Sequence, residues 1–177
     1  MNAPLTPANR RRFLQAGTAL ALQSGFPAIL KGQSAPIKFG LVGCGGRGTG
    51  AAGQALKADD YSQLHAVADV YQDRIDACLA RLKRVAEPKV QVTADRQFTG
   101  LDAYQKLIDS GVDVVLLATP PGFRPQHLRA AIAAGKHVFC EKPVAVDAPG
   151  VRSVLETARM AKEKNLSLVS GFCWRYS

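Results

Sequence analysis

The sequence predicts an α/β chain built on a doubly wound parallel sheet, and three features carry that prediction. From Ile37 onward, apolar runs of four to six residues alternate with longer helical segments, the pattern of βαβ units. The first run ends at Val42 and passes into a glycine-rich turn, Gly43-Cys44-Gly45-Gly46-Arg47-Gly48. The second ends at Asp69, 21 residues after Gly48. Composition agrees with a folded chain: of 177 residues 47% are hydrophobic and 21% charged, which excludes collagen-like, low-complexity and disordered classes. No apolar stretch approaches the roughly 18 residues of a membrane-spanning helix, so no membrane span is predicted.

Strands are expected at Ile37 to Val42, Leu64 to Asp69, Asp113 to Ala118, His137 to Cys140 and Ser167 to Phe172. A weaker strand near Val90 to Val92 would be third in chain order. Helices are expected near Gly48 to Lys57, Gln72 to Ala86, Leu101 to Asp109, Pro125 to Ala134 and Gly150 to Lys164. In the last of these, Val151, Val154, Leu155 and Ala158 recur at helical spacing and should pack on the sheet. Six strands with intervening crossovers complete one doubly wound domain over residues 36–172, leaving 1–35 as a leader and 173–177 as an exit.

The formal charge of +9 divides unevenly along the chain. Residues 1–36 hold Arg10, Arg11, Arg12 and Lys31 with no acid, and the rest carries 19 basic against 14 acidic residues. No basic run is interleaved with aromatics, so the charge reads as a solvated surface and no nucleic-acid partner is expected. Cys44, Cys78, Cys140 and Cys173 form no C-x-x-C pair and have no neighbouring His to complete a zinc site. They are expected to be small buried or loop residues, with neither a structural metal nor a disulfide framework.

The leader reads as an address. Asn9-Arg10-Arg11-Arg12-Phe13-Leu14-Gln15 precedes a mildly apolar stretch, Ala16 to Leu22, then Gly25 and Pro27. This resembles a twin-arginine export signal with Arg10 and Arg11 as the pair, and it implies a periplasmic or other extracytoplasmic location. An amphipathic N-terminal helix is the alternative, weakened by Thr6, Pro7, Gly17 and Gly25. Ala19-Leu20-Ala21 lies too close to the arginines for cleavage, which is expected near Ala35, with an uncleaved anchor as the alternative. The twin-arginine route carries folded proteins, and outside the cytosol a diffusing cofactor is lost by mass action. Any dinucleotide is therefore expected to be tightly held.

The turn after the first strand has the spacing of a Rossmann dinucleotide-binding fold. Gly43 permits the tight turn, Gly45 lets amides approach a pyrophosphate, and Gly48 lets the helix sit close to the strand. Cys44, Gly46 and Arg47 complete the loop, and the helix N-terminus offers free N–H groups and partial positive charge to phosphate. A frame shifted to Gly46, Gly48 and Ala51 is an alternative. Asp69 stands where a carboxylate accepts hydrogen bonds from the adenosine ribose diol and repels a 2′-phosphate, which favours NAD over NADP. A strand-terminal or capping Asp is the plainer reading, and Arg47 or Arg74 in reach of a 2′-phosphate would keep NADP open.

The fourth strand ends in Ala118-Thr119-Pro120-Pro121, with His127 downstream, and Gly135-Lys136-His137-Val138-Phe139-Cys140-Glu141-Lys142-Pro143 follows. Together with Gly171-Phe172-Cys173-Trp174-Arg175-Tyr176, these segments resemble the Gfo/Idh/MocA oxidoreductase family over roughly residues 37–177. The resemblance implies that Thr119 and Pro120 lie along the cofactor and that Glu141 and Lys142 sit beside the nicotinamide. It makes Lys142 the catalytic candidate, with His127 and Arg175 as further cofactor contacts. A lysine at the carboxyl end of a parallel strand points into the ligand crevice, where its ammonium can stabilise alkoxide-like charge on a substrate hydroxyl. Plainer readings are a surface salt bridge for Lys142, a turn cap for Glu141 and an unliganded helix histidine for His127.

The resemblance implies a second, C-terminal domain that is expected to lie beyond this sequence, the alternative being a truncated chain that keeps only the nucleotide-binding half. By the resemblance that domain closes the substrate pocket and mediates homo-oligomerisation. The function implied is hydride transfer between a nicotinamide cofactor and a sugar, cyclitol or related polyol. A redox-neutral NAD-dependent glycosidase and a non-catalytic dinucleotide-binding module are the alternatives.

Overall fold

A computed structural model describes residues 35–172, and these fold around a six-stranded parallel sheet. The strands are β1 (Ile37–Val42), β2 (Ser62–Asp69), β3 (Gln97–Thr99), β4 (Val114–Leu117), β5 (His137–Cys140) and β6 (Leu168–Ser170). The helices between them are α1 (Gly46–Ala58), α2 (Gln72–Ala86), α3 (Ala103–Asp109), α4 (Arg124–Ala133) and α5 (Ala148–Glu163). Strand order is β3-β2-β1-β4-β5-β6. The chain thus leaves β1 in one direction and crosses back to β4 on its other side. Where that reversal occurs, above the carboxyl ends of β1 and β4, the connections diverge and leave a crevice.

Both faces of the sheet are covered, which explains why its strands read as nearly continuous apolar runs. Phe39, Leu41, Leu64, Val67 and Leu116 pack on one face with Leu56 of α1 and Ile75 and Leu82 of α2. Val42, Ala66, Ala68, Val115 and Leu117 pack on the other with Leu107 of α3 and Leu128 and Ile132 of α4. Leu107 lies so close to Gly40 that a Cβ there would come within 2.5 Å of its side chain. In β2, Leu64 and Ala66 face opposite layers although only one residue, His65, lies between them. The register explains it: Phe39 pairs with Leu64 and Gly40 with Ala66, so His65 is the extra residue of a β-bulge.

Two expectations about elements need correction. The third strand is Gln97–Thr99 and not Val90–Val92; Val90 makes only an isolated bridge to Leu64. Val90 is buried, so its apolar character reports packing, whereas the true edge strand is only three residues long and holds a single apolar residue, Phe98. The second correction concerns α5, where Val151, Leu155 and Ala158 are exposed and, of the expected stripe, only Val154 packs on the core. The helix is seated through Val154, Thr157 and Ala161, whose small side chains at the last two positions let it approach. It begins two residues earlier than the apolar pattern suggests, with Asp147 capping the Gly150 amide at 2.7 Å. No helix among the described residues is long and apolar enough to cross a membrane.

Candidate functional site

The site is built from the β1–α1 turn. Gly43 has φ +98°, and a Cβ there would lie 2.8 Å from the Ala118 carbonyl carbon and the Thr119 nitrogen. A Cβ on Gly48 would lie 1.8 Å from the Gly43 oxygen, so α1 can sit this close to β1 only with glycine at that position. These two contacts select the frame Gly43, Gly45, Gly48 over the shifted one. Gly45 and Gly46 are different: a Cβ on either would meet nothing within 4 Å, so this rim of the turn is open. Gly45 caps α1 with no side-chain hydrogen bond, and the first turn holds no acid. The leading amides of α1 thus lack intrahelical acceptors and form an open cradle suited to a phosphate anion.

Asp69 closes the turn from the neighbouring strand. Its Oδ2 accepts from the Cys44 amide at 2.7 Å, and its Oδ1 accepts from the Tyr71 amide at 3.1 Å. While α2 starts after Tyr71 without a side-chain cap, Asp69 ties the end of β2 to the turn. The same residue also lines a cavity of about 630 Å³, with Arg74 beside it, Gly43 and Gly45 along the floor, and Thr119, Pro120 and His127 at the far side. Cys44 is turned inward, its thiol 3.7 Å from the Ala68 carbonyl and in contact with the Cys78 thiol. That contact and burial push its pKa far up, and burial raises Cys140 to about 11, so both stay protonated thiols.

At the end of β5, Glu141 is 1% exposed and Arg47 reaches it from α1, with Nε donating to Oε1 at 2.8 Å and a second guanidinium nitrogen pairing with the same oxygen. Two strands, β1 and β4, separate Glu141 from the strand that carries Asp69. Arg74 shares the cavity wall with Asp69, whereas Arg47 is engaged with Glu141 and is not among the residues lining that cavity. Lys142 follows Glu141 and is exposed; its amide donates to Glu141 Oε2 at 3.3 Å, and its ammonium has no hydrogen bond or ion pair among the described residues. Glu141 and Lys142 do not line the cavity around Asp69. Arg175, like Cys173, Trp174 and the leader with its arginine pair, lies outside the described residues.

Sequence reasoning passed over Tyr104 and Arg124. The Tyr104 ring stacks on His127 with centroids 4.0 Å apart, and its hydroxyl accepts from Gln126 at 3.0 Å. Helical spacing makes Tyr104 look like an ordinary core residue. Arg124 gives a clearer hint, because a cation in the first turn opposes the helix dipole and needs a reason to be there. Its side chain is buried and donates to Thr119 O at 2.7 Å.

His127 is buried beneath this wall, with Nδ1 3.4 Å from Thr119 Oγ1. Burial pushes its pKa from 6.5 down to about 4, so the ring is neutral at neutral pH. The unfolded chain takes up this proton first; the stabilising neutral form is fully available above 6.5 and stability is lost as the pH falls toward 4. An NMR titration of the ring should give a midpoint near 4, and His127→Asn should reduce the acid sensitivity of unfolding over that window. A midpoint at the ordinary value would contradict the buried, neutral role.

Residues 37–172 match the family model described as an oxidoreductase family with an NAD-binding Rossmann fold. Inositol 2-dehydrogenase of Cereibacter sphaeroides is 33% identical over 140 residues, which make up 79% of this chain and 37% of that protein. Myo-inositol 2-dehydrogenase of Thermotoga maritima is 29% identical over the same shares of each chain. Among solved structures, scyllo-inositol dehydrogenase from Lactobacillus casei with bound NAD(H) and scyllo-inositol has a TM-score of 0.64 at 26% identity, covering 80% of this chain and 38% of that one. The chain thus spans 37–38% of the length of these relatives. It belongs to the Gfo/Idh/MocA oxidoreductase family, and residues 37–172 are its NAD-binding Rossmann domain.

Proposed function

We propose that this chain is the dinucleotide-binding part of an NAD-dependent dehydrogenase that oxidises a carbinol carbon of a cyclitol or related polyol. One observation carries the reading: Gly43 and the open Gly45 of the β1–α1 turn, the Asp69 carboxylate and the Thr119–Pro120 turn share one cavity at the reversal between β1 and β4. The inositol dehydrogenases among the relatives support the substrate class. In this proposal the substrate pocket is completed by chain beyond the domain described here.

When bound, the cofactor supplies the acceptor for a hydride. The chain's own residues then have separate tasks. The α1 amides bind the pyrophosphate, and Asp69 has lone pairs left to accept from a ribose diol while it holds the Cys44 amide. Its negative charge, opposite a 2′-phosphate, favours NAD; Arg74 on the same wall is the group that would soften that preference. Lys142 donates a hydrogen bond to the substrate hydroxyl and stabilises the negative charge that grows on that oxygen. His127, neutral and stacked on Tyr104, supports Thr119 and moves no proton at neutral pH.

In the intact enzyme turning over myo-inositol, Lys142→Met should lower kcat by about 10²- to 10³-fold, the usual effect of losing one such donor. NADH affinity, followed by its fluorescence, should stay within about threefold. An unchanged kcat would remove Lys142 from the chemistry, and no turnover of any inositol isomer would overturn the substrate class. Asp69→Asn keeps an acceptor for the Cys44 amide but loses the charge. It should raise the affinity for NADPH relative to NADH by about tenfold, roughly 1.4 kcal/mol; an unaltered ratio would place Asp69 outside the ribose site.

The leader supports a second part of the proposal, export by the twin-arginine route with the dinucleotide tightly held. Replacing Arg10 and Arg11 together by Lys should leave the protein in the cytoplasmic fraction. Undiminished recovery from the periplasm would refute the export reading.

A further inference from the structure

Arg124 opens α4 at a position where a cation is unfavourable, yet its side chain is only 6% exposed. Its guanidinium is spent on three main-chain oxygens. Nε donates to Thr119 O at 2.7 Å, and one terminal nitrogen donates both to Glu141 O, at 2.7 Å, and to Pro143 O. Thr119 lies in the connection out of β4, and Glu141–Pro143 begins the connection out of the neighbouring strand β5. The two oxygens gripped in the second connection flank Lys142 on either side.

The rest of the surroundings strengthen this arrangement. Glu141 is held a second time, through its carboxylate, by Arg47 from the β1–α1 turn. The Lys142 ammonium, in contrast, has no partner among the described residues that would fix it. A long side chain of this kind is aimed mainly by the main chain that carries it, and here that main chain is fastened before and after the lysine. A planar guanidinium can serve several oxygens in fixed directions, whereas a lysine ammonium is a single point charge on a flexible stem. Arginine is therefore the residue suited to joining the two connections.

We infer that Arg124 is a positioning residue for Lys142: it locks the Glu141–Pro143 main chain to the Thr119 turn, so that the lysine projects from a fixed base between them. This inference rests on the proposed catalytic role of Lys142. It also makes Arg124 a determinant of kcat without contact with substrate.

The test uses the intact protein and two substitutions, Arg124→Lys and Lys142→Met, singly and together. Hydrogen exchange reports the local structure independently of activity. With Arg124→Lys, amide exchange in the peptide spanning residues 141–146 should quicken about tenfold or more while peptides from β1 and β2 stay as protected as before. The same variant should lose about tenfold or more in kcat on the cyclitol, with NADH affinity within about threefold. In the Lys142→Met background, adding Arg124→Lys should lower kcat no further, since a residue acting through the lysine has nothing left to position. Arg124→Gln, which removes the charge, should reproduce the local exchange if Arg124→Lys proves poorly folded. Unchanged exchange over 141–146, quickening spread evenly over the sheet, or a full additional loss in the double variant would each overturn the inference. Failure of the underlying reading appears elsewhere, as full activity in Lys142→Met alone.

Discussion

The contact between Gly48 and the Gly43 carbonyl is the constraint on which the site depends. With a Cβ at residue 48 only 1.8 Å from that oxygen, α1 could not start where it does. Gly43 is fixed in turn by its positive φ and by the Ala118–Thr119 main chain against which it lies. The β1–α1 turn is thus wedged against the exit of β4, and the first amides of α1 open onto the crevice where the sheet reverses direction. Side chains elsewhere in the domain set how stable this arrangement is; the missing side chains at these two positions make it possible.

Around that wedge, three polar side chains tie connections together from different strands. Asp69 fastens the turn to β2 through the Cys44 amide, Arg47 fastens it to β5 through Glu141, and Arg124 fastens the exits of β4 and β5 to each other. Asp69 accepts from a backbone amide, whereas the two arginines donate to backbone oxygens or a buried carboxylate, so removing any of the three would leave a main-chain or buried group without its partner rather than merely lose a contact. The effect is a rim whose loops are fastened to one another and to the sheet. Preorganisation of this kind is what positioning a cofactor and a reacting hydroxyl requires.

Much of this was legible in the sequence because the strands and the turn impose chemistry that residue type reveals. Apolar runs gave five of the six strands, since a strand covered on both faces has no choice but to be apolar, and the Gly43–Gly48 spacing located the turn. What the sequence hid was governed by tertiary contact. β3 is a three-residue edge with one apolar residue, Phe98, on the core, the bulge at His65 follows from how β1 meets β2, and α5 is seated by Thr157 and Ala161 where the more apolar Val151 and Leu155 stay exposed. In the site, the roles of Arg47 and Arg124 depend on which loops come together across the sheet. Only the awkward placement of Arg124 at a helix N-terminus gave any warning.

The central claim is that a dinucleotide lies across the β1–β4 reversal with its pyrophosphate on the α1 amides. Titrating NADH into the isotopically labelled protein and following amide resonances by NMR tests it residue by residue. The account predicts that the largest shifts fall on Gly45, Gly46 and Arg47, with a second group at Val70–Tyr71 and Thr119. Shifts confined to other surfaces, or none at saturating NADH, would contradict it.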